Sequence, residues 1–281
     1  GGRPEVLRAR VAAVQASYLS IPATLGAGLV DYRISDGGAT PPDTQGDWPE
    51  RLVLLPETHF AYDNTIRAGE SGSRAQHGLP DRGVVLCCMN QAFKIEPEAF
   101  GVWMRVLAAV PDAVLWLLDE GSIMQANLRR EAQARGVAPG RLIFAPRVPL
   151  EEHLGRLAHA DLFLDTFCCN AHTTALDALW ASVPLLTRRG RTMASRIAST
   201  FVRSVGLQEL AVDTTEDYER LALRLARDPA ALRRLKAVLS QKKARAPLFD
   251  TPARVRALER AFAAMIERHR AGLPPDTLII D

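Results

Sequence analysis

The sequence predicts an α/β protein built on a doubly wound parallel sheet, and three observations carry that expectation. From residue 83 onward, short apolar runs alternate with amphipathic segments at helical spacing. The runs are apolar throughout rather than every second residue, as strands buried on both faces by crossover helices must be. Polar residues able to hold a ligand follow one run after another, where the carboxyl ends of parallel strands form a crevice.

Taken in order, strands are expected at 84–89, 113–118, 141–145, 161–165 and 183–187. Between the first two, Phe100, Trp103, Val106, Leu107 and Val110 recur at helical spacing, and Pro97 suits a first helical turn, where its missing N–H is not needed. Further helices are expected near 122–135, 150–159, 173–181 and 192–204, and repeated βα units imply parallel strands with right-handed crossovers. Strands are expected to stop after about 214, leaving helices near 214–227, 230–244 and 251–271, with Pro247 as a break. Residues 1–82 differ. They offer a helix at 3–12, strand-like stretches at 30–34 and 52–55, and loops rich in Gly, Pro, Asp and Thr, of which 35–50 and 68–83 are expected to be mobile. So few apolar elements cannot make an independent core.

Composition narrows the function classes. A 281-residue chain that is 47% hydrophobic has room for one large or two modest soluble domains. Its net charge of +3 is spread along the chain in both signs, so nucleic acid is not the expected main partner. No apolar run approaches the ~18 residues that span a bilayer, and the opening Gly1-Gly2-Arg3-Pro4-Glu5 does not read as a secretion signal. Four cysteines in two adjacent pairs (Cys87-Cys88, Cys168-Cys169) lack metal-ligand spacing and fit a reducing compartment, so a cytoplasmic location is expected. The chain shows no helical repeat of about 34 residues.

The richest segment runs from Asp165 through Cys168-Cys169-Asn170-Ala171-His172-Thr173-Thr174 to Asp177. The apolar run ending in Asp165 gives way to small and polar residues, and a helical pattern then starts at Thr173-Thr174. A helix start presents free N–H groups and a positive dipole end, and two hydroxyls and an imidazole placed there suit a diphosphate. Simple capping is the competing reading for any such Thr pair. Around this loop, Asn90, Gln91 and Lys94 follow the first strand, Arg147, Glu151, Glu152 and His153 the third, and Arg188–Arg191 the fifth. Lys94 can set an ammonium against phosphate oxygens. Glu151 and Glu152 diverge by about 100° on a helix, so they read as N-terminal helix charges rather than an acid/base pair. The Arg188-Arg189-Gly190-Arg191 run reads as solvated charge, and the cysteines as packing residues.

The stretch CNAHTTALDALWASVPLLT resembles the nucleotide-sugar motif of the O-GlcNAc transferase family, C-N-G-H-T-T-x-x-D-x-L-W. The resemblance extends over 90–118, 141–166, 192–199, 247–262 and 269–276, nearly the whole chain. It implies a GT-B glycosyltransferase, with a Rossmann-like nucleotide-sugar-binding domain at 83–246. Residues 1–82 would be the remnant of a second Rossmann-like domain on the acceptor side, and 247–281 a helix and tail packing back on it. The implied reaction moves GlcNAc from UDP-GlcNAc to Ser or Thr hydroxyls of a protein, with inversion, no metal or other cofactor, and TPR repeats upstream in a longer protein. Carried over residue by residue, Gln91-x-x-Lys94 matches the family's Q-x-x-K, whose lysine contacts the diphosphate and is the expected catalytic residue. His153 matches the histidine beside base and ribose, and Val148 and Arg156 stand at matching donor-binding positions. His172, Thr173 and Thr174 match the phosphate cluster, and Asp177 the ribose partner.

The chain also departs from the family, with Leu150 in place of a lysine and Ser20–Gly26 in place of Gly-Tyr-Pro-Gly-Thr-Ser-Gly. Spindly-type fucosyltransferases lack the histidine before the Thr pair and the E-E-H element, both present here, which favours a UDP-GlcNAc donor over GDP-fucose. The alternatives left open are a truncated or non-catalytic UDP-sugar-binding module, fucosyl transfer, and another nucleotide-sugar chemistry such as epimerisation.

Overall fold

The computed structural model describes residues 3–19 and 21–281 and forms two parallel sheets facing each other across a cleft. The larger sheet contains β4 (Val85–Cys88), β5 (Val114–Leu118), β6 (Leu142–Ala145), β7 (Leu162–Leu164), β8 (Leu185–Arg188) and β9 (Ala211–Val212). Its spatial order is β6-β5-β4-β7-β8-β9, with every pairing parallel. Counted from β4 this is 3-2-1-4-5-6, so the winding direction reverses between β4 and β7 and a crevice opens there.

Helices α1 (Pro97–Ala109), α2 (Ser122–Ala134), α3 (Leu150–Leu157), α4 (Thr173–Trp180) and α5 (Ile197–Ser204) are the crossovers, and α6 (Thr215–Ala226) follows β9 and packs against α1. They cover a core in which Trp103, Trp116 and Phe163 are at most 1% exposed. α7 (Pro229–Lys242) follows and packs on α6. The continuously apolar runs thus sit where the sequence places them, because both faces of these strands are covered.

The smaller sheet has the order β1-β2-β3-β10, again parallel: β1 (Ala16–Ser17), β2 (Tyr32–Asp36), β3 (Arg51–Leu55) and β10 (Leu278–Ile279). Its core is shared with α8 (Thr251–Arg270): Tyr32, Ile34, Val53 and Leu55 meet Ala257, Ala261 and Met265. The apolar face that residues 1–82 cannot cover alone is therefore covered by the last 30 or so residues, as chain-length arguments require.

Three expectations are corrected. The helix expected at 3–12 is a short 3-10 helix over Pro4–Ala9, which ends at Arg10 in the left-handed region. Strands do not stop after 214, since β10 pairs with β3. The two loops expected to be mobile are tied down. Pro42–Asp47 forms a 3-10 helix, Gln45 bonds the backbone of Trp48, Glu50 and Leu52, and Gly69 N donates to Glu151 O at 2.8 Å. That last contact explains Gly155 inside α3, where a Cβ would lie 2.6 Å from the carbonyl oxygens of Gly69 and Glu70.

The lobes are in direct contact. Tyr62, Trp180 and Phe249 form an aromatic trio with centroids 4.9–5.8 Å apart, and Trp180 Nε1 donates to Ile66 O at 3.0 Å. Among the described residues, no helix is long and apolar enough to cross a membrane.

Candidate nucleotide-sugar site

The site forms where β4 and β7 end side by side. After β7 the chain reaches Asp165, whose carboxylate is fully buried and holds the next loop in place. Oδ1 accepts from the backbone N–H of Thr166 (2.9 Å) and Ala171 (2.6 Å), and Oδ2 from the Thr187 hydroxyl (2.7 Å). Burial raises its pKa to about 7 despite these donors and the nearby Lys94 charge. The loop is thereby folded back so that α4 starts at the mouth of the crevice.

No side chain caps α4, and among the described residues the N–H groups of Thr173 and Thr174 carry no backbone hydrogen bond. The capping reading of the Thr pair therefore does not hold. Thr173 is exposed, and Thr174 Oγ1 instead donates to Asn90 Oδ1 at 2.6 Å, tying the helix start to the end of β4. An uncapped helix start of this kind has free N–H groups and a positive dipole end that suit an anion.

Lys94 ends a short 3-10 helix (Ala92–Lys94) after β4, and its Nζ donates to Asn170 O at 2.8 Å. The ammonium is thus held against the same loop that leads into α4. Gln91 precedes that 3-10 helix, exposed and without a side-chain bond to it.

His172, immediately before α4, is mostly buried. Burial, then the positive charge of Lys94, depress its pKa to about 4, so the imidazole is neutral at pH 7. Its Nε2 lies 3.4 Å from Ala194 O, which assigns the proton to Nε2 and leaves Nδ1 as an acceptor.

A second group stands on α3, after β6. Arg156 is 2% exposed; it donates from Nη1 to Pro146 O (2.7 Å) and from Nε to His153 Nδ1 (3.2 Å). His153 is therefore neutral with its proton on Nε2, and burial followed by the Arg156 charge lowers its pKa to about 4. Arg156 and Val148 line a pocket of about 610 Å³ with Trp116, whose buried Nε1 has no partner among the described residues. Leu150, where the family carries a lysine, is exposed.

Asp177 points the other way, one turn into α4. It is 6% exposed, and its Oδ1 accepts from Tyr62 Oη at 3.0 Å, a bond between the lobes. Burial raises its pKa to about 6, while the tyrosine bond lowers it. The structure thus brings Lys94, His172, Thr173 and Thr174 together at the helix start, with Gln91 at the rim. It sets Val148, His153 and Arg156 at the end of β6 and turns Asp177 toward the first lobe.

Asp165 and Asn90, noted in the sequence as the end of an apolar run and a polar residue after the first strand, fix the loop and the helix start. Other residues were not singled out from the sequence. Asp36 and His59 are each 1% exposed or less and paired at 2.5 Å (Nδ1 to Oδ2), yet lie 23 residues apart with no motif joining them. The Arg188–Arg191 run is not simply solvated. Arg188 stacks 4.1 Å over Phe167 and bonds Glu98 and Thr215, and Arg189 pairs with Asp213. Among the described residues, no group of three or more His, Cys, Asp or Glu side chains is placed to hold a metal ion.

An order-reversing parallel sheet with an open helix start at its switch point, faced by a second parallel sheet, is the architecture of the GT-B fold. The profile of glycosyl transferase family 41 matches residues 1–69 and 68–258, and the chain belongs to that family. A probable UDP-N-acetylglucosamine–peptide N-acetylglucosaminyltransferase SEC of Arabidopsis thaliana is 34% identical over 282 residues, 98% of this chain and 29% of the relative. The Caenorhabditis elegans UDP-N-acetylglucosamine–peptide N-acetylglucosaminyltransferase is 35% identical over 73% of this chain and 18% of its own length. Among solved structures, a K341M mutant of the Thermobaculum terrenum O-GlcNAc transferase superposes with a TM-score of 0.82 at 32% identity, covering 91% of this chain and 49% of that one. Sucrose-phosphate synthase of Thermosynechococcus elongatus, at 15% identity and a TM-score of 0.59, shares the fold. The chain spans less than a third of the curated relatives' length.

Proposed function

We propose that this chain is the donor-binding part of a glycosyltransferase that moves GlcNAc from UDP-GlcNAc to Ser or Thr hydroxyls of proteins, with inversion at the anomeric carbon. The observation that carries the reading is the uncapped start of α4 with Lys94 Nζ held on Asn170 O, one loop away. That arrangement suits the charge that grows on UDP as the glycosidic bond breaks: fixed N–H dipoles and an ammonium, set in place before the reaction, stabilise a departing diphosphate. Neutral His172 adds no charge beside those phosphates, and its Nε2–H can turn from Ala194 O to a phosphate oxygen. His153 offers Nε2–H to the base or ribose, with its ring held by Arg156. Asp177 would meet the ribose hydroxyls through its second oxygen. Transfer without a metal is part of the proposal, the leaving-group charge being met by Lys94 and the helix start. So are a cytoplasmic setting and TPR repeats elsewhere in a longer protein.

Calorimetric titration of UDP and, separately, GDP tests the donor site. UDP is expected to bind and GDP to bind far more weakly. Lys94→Ala is expected to lose about 30-fold in UDP affinity, the worth of one charge-assisted hydrogen bond of about 2 kcal/mol. A preference for GDP selects the fucosyl alternative. UDP binding without transfer to any peptide selects the binding-module alternative.

A further inference from the structure

The cleft face of the small sheet holds a buried cation that the donor site does not use. Along β2, Tyr32 and Ile34 turn toward α8, so Arg33 and Ser35 turn the other way, toward the large lobe. Arg33 is 2% exposed. Its Nη1 reaches Leu19 O at a long 3.4 Å and its Nη2 the Met193 sulfur at 3.6 Å, while the buried Nε has no partner among the described residues. Arg33 makes no ion pair among the described residues. The acid that acts on it electrostatically, Glu50, is occupied by the Thr24 hydroxyl and Leu25 N–H. A buried guanidinium left in this state is costly unless an anion completes it.

Two more arginines stand on the other side of Met193, the side chain that Arg33 touches. Arg191, exposed, and Arg196, half-buried, line a pocket of about 240 Å³ together with Met193, Thr24, Thr40 and Trp48. Asp47 is the one carboxylate in the lining. Asp36, Asp43 and Asp213 also act on Arg196, but Asp36 is satisfied by Gly38, Ala39 and His59, and Asp213 pairs with Arg189. Arg196 Nε and Nη1 are anchored on Gly38 O and Gly190 O. The pocket adjoins the donor site through Ala194, the neighbour of Met193, whose carbonyl accepts from Asn170 N and contacts the His172 ring.

We propose that this inter-lobe pocket is an anion subsite for the acceptor, taking an acidic side chain or a phosphorylated residue that flanks the Ser or Thr to be modified. The inference rests on the transfer reading. An anion entering the pocket meets Arg191 and Arg196 in its lining, and it reaches Arg33 only where the Met193 side chain gives way. Guanidinium forks match carboxylate and phosphate alike, and Trp48 offers an apolar wall to the peptide.

The test is a fluorescence-anisotropy titration of labelled Ser-centred peptides into the chain with UDP saturating. The peptides differ only in flanking residues: Glu, its neutral isostere Gln, or phosphoserine. The Glu or phosphoserine peptide is expected to bind about tenfold tighter than the Gln peptide, and whichever of the two leads identifies the source of the anion. The gap should shrink several-fold in Arg191→Ala, an exposed position where folding is not at stake, and close in Arg33→Met. Equal binding of all three peptides, or binding of none while calorimetry shows UDP bound, overturns the inference and leaves the donor reading standing. Loss of UDP binding in folded Arg33→Met assigns that arginine to the donor and also overturns it. Failure of the unsubstituted chain to bind UDP overturns the donor reading itself.

Discussion

The two sheets facing the cleft are built alike and furnished differently. In the large lobe, the polar groups at the strand ends are bonded to their own lobe. Asp165 is met by Thr166, Ala171 and Thr187, Thr174 by Asn90, and Lys94 by Asn170 O. In the small lobe, Asp36 and His59 satisfy each other, but Arg33 on the same cleft face has only long contacts and an orphaned Nε. The contrast teaches that a preorganised site and a waiting one can share a cleft. The first has its dipoles fixed by bonds within its own lobe, and the second holds charge that lacks a counterpart.

The largest expected effect is at the large lobe's anchor. Asp165→Ala strands two backbone N–H groups and a buried hydroxyl, and a loss of about 3 kcal/mol or more is expected in urea unfolding. A loss under 1 kcal/mol would break the claim that this loop is held by one carboxylate. The pH dependence comes next. His172 and His153 have folded pKa values of about 4, below the unfolded value of about 6.5, so the unfolded chain binds more protons in that interval. Their contribution to stability is therefore full above about 6.5 and is lost as pH falls toward 4. The signs for Asp165 and Asp177 are opposite: raised to about 7 and 6, they cost stability as pH rises through the carboxylate range. Replacing both histidines by Gln should flatten the histidine part of the acid limb, and an unchanged limb would place their protons elsewhere.

Tyr62→Phe sharpens the comparison at the junction between the lobes. It removes the bond to Asp177 Oδ1 while keeping the ring against Trp180 and Phe249, at an expected cost of about 1 kcal/mol in thermal unfolding. The Asp177 pKa should rise further by NMR titration, since the phenol favours the carboxylate. The smallest effect is expected at the rim. Arg189→Ala breaks an exposed pair with Asp213 and should change stability by less than about 0.5 kcal/mol.

Much of the large lobe was legible in the sequence because most of its strands are short, continuously apolar runs, while β9, only Ala211–Val212, is too short to stand out. The switch-point loop was legible for the same reason: Asp165 ends one pattern and Thr173 starts another. The closing strand β10 was not, because Leu278 and Ile279 make a pair too short to stand out without the edge of β3 beside them. Nor was the arginine run, which reads as solvated until Phe167, Glu98 and Asp213 are brought to it by other elements.

What the sequence determined by itself was local: which runs are buried on both faces, where a helix begins, and which lysine leaves the first strand. Such features depend on residues within a few positions of one another. The tertiary structure alone decided which distant groups meet. It joined Asp36 to His59, turned Asp177 to Tyr62, and left Arg33 facing the large lobe with no carboxylate to pair with. Those outcomes depend on which faces of two sheets are covered, and burial is a property of the packed chain that no segment carries alone.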